Sequence, residues 1–239
     1  MLNTLLKGIG NWAMGRNLIE GSTVKLQMLK GGEEGGEVSL AVLDCDEAMF
    51  KDAVGDTVVV MTIQLLQEGE QPNEVLKVTT PQGLEAPSDF NFHNAKCDKT
   101  LLQLTVRHAA LMGELMGAVA RGKPIAPYCV AVCDNLCTLC YYVGVNFVDC
   151  VDEAYQEIKP RKGLTIDGVF IKEKDLSDEQ RFIMEVNDPE VTEVVVPQGM
   201  SEDDAVSQVV GKRAFEVYKE PSRGNCNYEL VIKLAPMDC

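Results

Sequence analysis

The clearest periodic signal along the chain lies at residues 99–121. Leu101, Leu104, Leu111, Met112, Leu115 and Val119 recur at helical spacing, while Gln103, Arg107, Glu114 and Arg121 fall on one narrow polar stripe. At about 100° per residue this predicts a helix with little surface left for water, deep in the fold or at a subunit boundary. Asp98 or Thr100 can cap its start, and Arg121-Gly122 followed by Pro124 supplies a stop. His108 falls on the apolar side, which predicts a satisfied core histidine rather than a catalytic base.

Upstream the pattern reads differently. Leu2, Leu5, Leu6, Ile9 and Trp12 approach helical spacing, but Gly8, Gly10 and Gly15 weaken a helix interior, so residues 1–20 are expected to form a docked N-terminal arm. Residues 22–30 have partial strand character. The run Gly31-Gly32-Glu33-Glu34-Gly35-Gly36 can turn the chain, and residues 37–43 offer a returning strand. That run is no phosphate loop, because no Lys-Ser or Lys-Thr follows it and two carboxylates occupy it. Residues 57–66 are rich in β-branched side chains and predict a third strand, with another at residues 74–80 after Pro72.

Residues 128–148 contain one charge, Asp134, and are apolar on several faces. The length is compatible with a membrane span, but Asp134, Asn135 and Asn146 are costly in lipid. The expectation is a buried helix, or a helix followed by a strand from about Tyr141. In the last third, residues 164–171 read as a strand. Ser177-Asp178-Glu179-Gln180 has capping-box spacing, while residues 181–186 also read as a strand, and both readings stand at this level. Residues 191–196 and 228–234 predict strands, with a helix from Ser201 that includes Val206, Val209, Val210 and Phe215.

These elements predict an α+β fold of antiparallel sheet elements around a deeply buried central helix. Residues 74–84 (EVLKVTTPQGL) and 190–200 (EVTEVVVPQGM) share a strand-like run and a Pro-Gln-Gly turn, offset by 116 residues. The fold could therefore contain two related halves. The expected organisation is an N-terminal arm at 1–20, an α+β half at 21–123, an apolar cysteine-rich connecting element at 124–160, and a second α+β half at 161–239.

Composition narrows the function classes. Asp and Glu number 37 against 22 Lys and Arg, a formal net charge of −15, which disfavours long-range attraction to nucleic acid. Nine cysteines are an odd number and no signal-peptide pattern opens the chain, so a reducing, cytoplasmic setting is the simpler expectation.

Candidate chemistry centres on Cys129, Cys133, Cys137 and Cys140, four soft thiolate donors within twelve residues. The sub-pattern Cys133-x3-Cys137-x2-Cys140 resembles the cluster-binding triplet of radical S-adenosylmethionine enzymes over eight residues. Leu139 stands where those enzymes usually carry an aromatic residue, and the triplet lies midway through a short chain, so no family is assigned. On a helix the four sulfurs share an arc of about 80° but stretch over about 16 Å, which favours a packing face over one metal centre. Convergence on one centre needs the segment to turn near Asp134-Asn135. Asp44-Cys45-Asp46-Glu47 reads as a helix start, with cation binding as its alternative, and His93 lies in a polar loop near Cys97.

No catalytic or cofactor-binding residue is assigned. The expected function is a non-catalytic protein-interaction or self-assembly protein, with a homo-oligomer or another protein as partner and no integral membrane insertion. The observations behind it are the apolar 128–148 stretch and the N-terminal arm. The alternative is a thiolate-ligated zinc or iron–sulfur protein built on Cys133, Cys137, Cys140 and Cys129.

Overall fold

The computed structural model describes residues 1–188, 191–210, 214–221 and 228–235. The fold is α+β, with two small antiparallel sheets and a large helical part. The chain divides into two compact units, one of residues 1–10 and 23–160, the other of residues 11–22 and 161–239.

The first unit takes its regular elements from helices. They are α1 (Leu2–Gly15, belonging here through Gly10), α2 (Val24–Asp44), α3 (Glu47–Gln67), the short α4 (Pro72–Val75), a 3₁₀ segment (Phe92–Cys97), α5 (Lys99–Ala120), α6 (Ala126–Val143) and α7 (Phe147–Ile158). α2 packs against α3 and α5, α3 against α7, and α5 against α6. α3 is the most deeply buried helix, with Phe50, Val54, Val58, Met61 and Leu65 essentially inaccessible. α5 buries one face through Leu101, Met112 and Leu115 and exposes the other.

Several strand expectations fail here. Residues 22–30 and 37–43 are not a hairpin: Thr23 caps α2 by accepting from the amide of Leu26, and the helix runs unbroken through the glycines. The tertiary reason is close packing. A β-carbon at Gly35 would lie 2.9 Å from Met112 of α5, and one at Gly31 would lie 3.4 Å from Val60 of α3. Glycine costs about 1 kcal/mol in a helix interior, and neighbouring helices that can approach this closely offset it.

Residues 57–66 are helical because α3 is apolar on all sides, and burial overrides β-branched propensity. Thr57 and Thr62 donate their hydroxyls to the carbonyls of Ala53 and Val58, each at 2.7 Å. Residues 76–80 are extended but pair with no described strand.

The α5 signals were read correctly at both ends. Asp98 accepts from the Leu101 amide at 2.9 Å, and Gly122 follows the last turn at a φ of 61°. Residues 128–148 form α6 and the start of α7, not a helix and a strand. Gly144, at a φ of 74°, ends α6, and Asn146 caps α7. Among the described residues no single helix is long and apolar enough to cross a membrane; α6 and α7 meet that measure only as a pair bent by 110°.

In the second unit, residues 11–22 dock on a hairpin. β1 (Gly163–Ile166) pairs antiparallel with β2 (Val169–Lys172), and Asp167 and Gly168 turn between them with positive φ. The single strand expected at 164–171 is therefore two. A two-residue turn with both residues left-handed matches the twist of a hairpin. Trp12 and Arg16 donate to the Arg161 carbonyl, and Asn17 donates to Thr165.

α8 (Asp178–Asn187) begins at a complete Ser177/Gln180 capping box, so the helical reading of residues 181–186 prevails over the strand reading. β3 (Glu193–Val195), β5 (Tyr228–Leu234) and β4 (Phe215–Pro221) form an antiparallel sheet in the order β3-β5-β4, with Val194 and Val217 flanking Ile232. α9 (Glu202–Val209), capped by Ser201, closes a core of Phe182, Val186, Val194, Ala205, Val209 and Ile232. The helix from Ser201 stops at Val209, and Phe215 belongs to β4.

The two Pro-Gln-Gly turns share a left-handed glycine, Gly83 at 73° and Gly199 at 100°. Their approaches differ: β3 leads into the second, and an unpaired extended segment leads into the first.

Candidate functional site

The four cysteines of the row all lie on α6 and are buried. Glu68 accepts from the Ile125 amide at the helix start, at 3.2 Å, and the helix continues unbroken past Asp134 and Asn135. The bend that one centre for all four sulfurs requires does not occur there.

The thiols of the row instead make local contacts along the helix and with α7. Cys133 and Cys137 interact one turn apart, and Cys140 interacts with Cys150 of α7 and, less strongly, with Cys137 and Cys133. The sulfurs of Cys133 and Cys137 lie 3.4 and 3.8 Å from the Lys77 carbonyl in the extended segment that covers them. The Cys133 hydrogen bond, helped by Thr79, brings Cys137 down to about 7, whereas its thiol partner is held up by that shared bond and by burial. Burial, reinforced by Glu68, pushes Cys129 up to about 12.

Among the described residues no three His, Cys, Asp or Glu side chains converge where a metal ion could be held. Cys45 and Cys97 reach the surface in part or fully, while Cys226 and Cys239 lie outside the described residues.

The fold does bring together two segments that the sequence singled out separately. Asp44, Cys45, Asp46 and Glu47 line an open cleft of about 780 Å³ with Asp89, Phe90, Asn91, Phe92 and His93. Its polar groups serve the local backbone. Asp46 caps α3 by accepting from the Met49 amide at 3.0 Å, Asn91 accepts from the His93 amide at 3.0 Å, and Glu47 pairs with Lys51 at 2.7 Å. Cys45 closes α2 in the left-handed conformation. Asp46 and Glu47 are helix-start groups, as their position in sequence suggested, whereas Asp44 ends α2.

His108 is fully buried on α5, as expected, beside Asn135 of α6. Burial brings its pKa down to about 4, partly opposed by its interaction with the Asn135 side chain.

The feature that the sequence reading missed lies on the outer side of α2. Leu26, Leu29, Leu40 and Leu43 are 43, 73, 49 and 52% exposed. With Glu33 and Gly36 between them they fall at alternating steps of three and four residues, the spacing of a straight apolar seam. The buried residues Met28, Gly31, Gly35, Val38 and Val42 occupy the opposite side. Next to this seam, Met116 of α5 is partly exposed and reaches within 3.4 Å of the β-carbon position of Gly32. The signal was present in the sequence as a 3-4 repeat, but a hairpin reading splits it at residues 31–36.

No family model matches the chain, and no solved structure matches it. The chain is similar to the uncharacterized 18.2 kDa protein in the rep-hol intergenic region of Haemophilus phage HP1 (strain HP1c1), at 44% identity over 62 residues. That stretch is 26% of this chain and 38% of the phage protein, so the chain spans less than half the length of this curated relative.

Proposed function

We propose that the protein acts by non-catalytic binding to protein surfaces, as an interaction or assembly protein, through the outer face of α2 and α5. The observation that carries this reading is the line of four exposed leucines on α2. Single exposed leucines are ordinary, but two exposed leucine pairs aligned on one side of a helix, with Glu33 and Gly36 between them, mark a contact site with a polar centre. The seam runs about 26 Å along the helix, long enough to receive a helical partner.

The apolar 128–148 stretch does not support the reading, because the apolar side chains of α6, apart from Val130 and Tyr141, are mostly buried inside its own unit. Nor does the row of cysteines favour a metal-based alternative, because it lies along an unbroken helix and, among the described residues, no three His, Cys, Asp or Glu side chains converge on a metal-sized site.

Sedimentation velocity over about 1 to about 100 µM tests the reading, since specific contacts of this kind fall in that affinity range. The expected result is association of the wild-type chain that Leu29→Glu/Leu40→Glu abolishes while helicity and thermal stability are kept. Association that survives the double substitution would contradict it.

A further inference from the structure

The α2 seam is complementary to itself in one direction only. Its residues Leu26, Leu29, Glu33, Gly36, Leu40 and Leu43 are symmetric about the midpoint between Glu33 and Gly36. Laid against a second α2 running the opposite way, Leu26 faces Leu43, Leu29 faces Leu40, and Glu33 faces Gly36. A parallel partner would instead place Glu33 against its own counterpart at the centre of an apolar seam, two carboxylates face to face. In the opposed arrangement the glycine leaves room for the carboxylate, since a β-carbon at Gly36 would meet nothing within 4 Å. Lys30, bonded to Glu33 at 2.6 Å, accompanies that carboxylate as its counter-charge.

Charge points the same way. The cations of α2, Lys25 and Lys30, lie in its first turns, and its acids Glu33, Glu34, Glu37 and Asp44 follow them. Opposing two copies sets the basic end of each beside the acidic part of the other, and it also opposes the helix macrodipoles. Flanking the seam, Lys30 of one copy comes within about 3 Å along the axis of the level of Glu37 of the other, inside side-chain reach. Among the described residues Glu37 has no ion-pair partner within its own chain, where its recorded electrostatic neighbour is the like-charged Glu34.

We infer that a second copy of this chain is the partner of the α2 face, held in an antiparallel α2–α2 pair across a two-fold axis with two reciprocal Lys30–Glu37 ion pairs. This rests on reading that face as an interaction surface. Met116 of α5, beside Gly32, flanks the pair as an apolar margin.

Charge reversal in the full-length chain tests it, with dimer dissociation read by sedimentation equilibrium. Lys30→Glu and Glu37→Lys each turn two attractions into two repulsions and should each weaken the dimer by about tenfold. The combined K30E/E37K chain restores both pairs with their signs exchanged and should return to within about twofold of wild type. Glu37→Gln, which leaves the Lys30 contacts untouched, should weaken the dimer by about threefold, and it serves if a reversed chain fails to fold. Association lost in Leu29→Glu/Leu40→Glu but indifferent to the charge changes would overturn the antiparallel pair and leave the interaction face standing. A wild-type chain that stays monomeric over the whole range would overturn the pair with any partner copy. Association indifferent to both sets of substitutions would overturn the pair and the face together.

Discussion

His108 sits where α5 packs against α6, with Asn135 as its polar neighbour. Burial costs the charged imidazolium far more than the neutral ring, which brings the pKa from 6.5 to about 4. The linkage follows in sign. Above pH 6.5 the imidazole is neutral in folded and unfolded chains alike; between 6.5 and about 4 only unfolded chains take up the proton, so stability falls as the solution is acidified. The full swing is about 3 kcal/mol. Glu34 works with the opposite sign, because burial, aided by Asp56, pushes its carboxyl up to about 7 and the folded chain gains protons first. Comparing wild type with His108→Leu cancels Glu34, which both carry. Urea unfolding across that pH range should show the wild type losing about 3 kcal/mol relative to the variant on acidification, whereas parallel curves would place the imidazole in contact with water.

Elements differ in how plainly the chain announces them. Asp98, Asn146, Ser177 and Ser201 each bond an amide two or three residues on, and these helix starts could be read from local chemistry alone. α2 and α3 could not, because their helicity depends on partners far along the chain. Gly31 and Gly35 look like turn residues until Val60 and Met112 are seen against them. Gly55 makes the same point between α3 and α7. A β-carbon there would collide with the Cys150 carbonyl and approach Ala154 to 2.7 Å. Gly55→Ala would improve helix propensity yet should destabilise the chain by about 2 kcal/mol, through forced separation of the two helices. A thermal melt decides between them: a lowered midpoint follows from packing, and a raised one from propensity.

At the scale of the molecule, burial reassigns the apolar segments. The 128–148 stretch looked free to join subunits, and the structure spends it inside the first unit; α2 looked like a hairpin with a polar tip, and it carries the exposed seam. The cleft that gathers Asp44–Glu47 with Asp89–His93 could not be anticipated either, since its two segments are distant in sequence. The α+β class was legible because strand and turn signals are sound in the last third of the chain, although those placed at residues 22–66 were not. Hydrogen–deuterium exchange of the full chain, compared at dilute and concentrated protein, tests the central claim most directly. Added protection on concentrating should appear in α2 peptides spanning Leu26–Leu43 and along the outer side of α5, with α6 unchanged. Protection that rises in α6 while α2 stays unaltered would contradict the assignment of the interaction face.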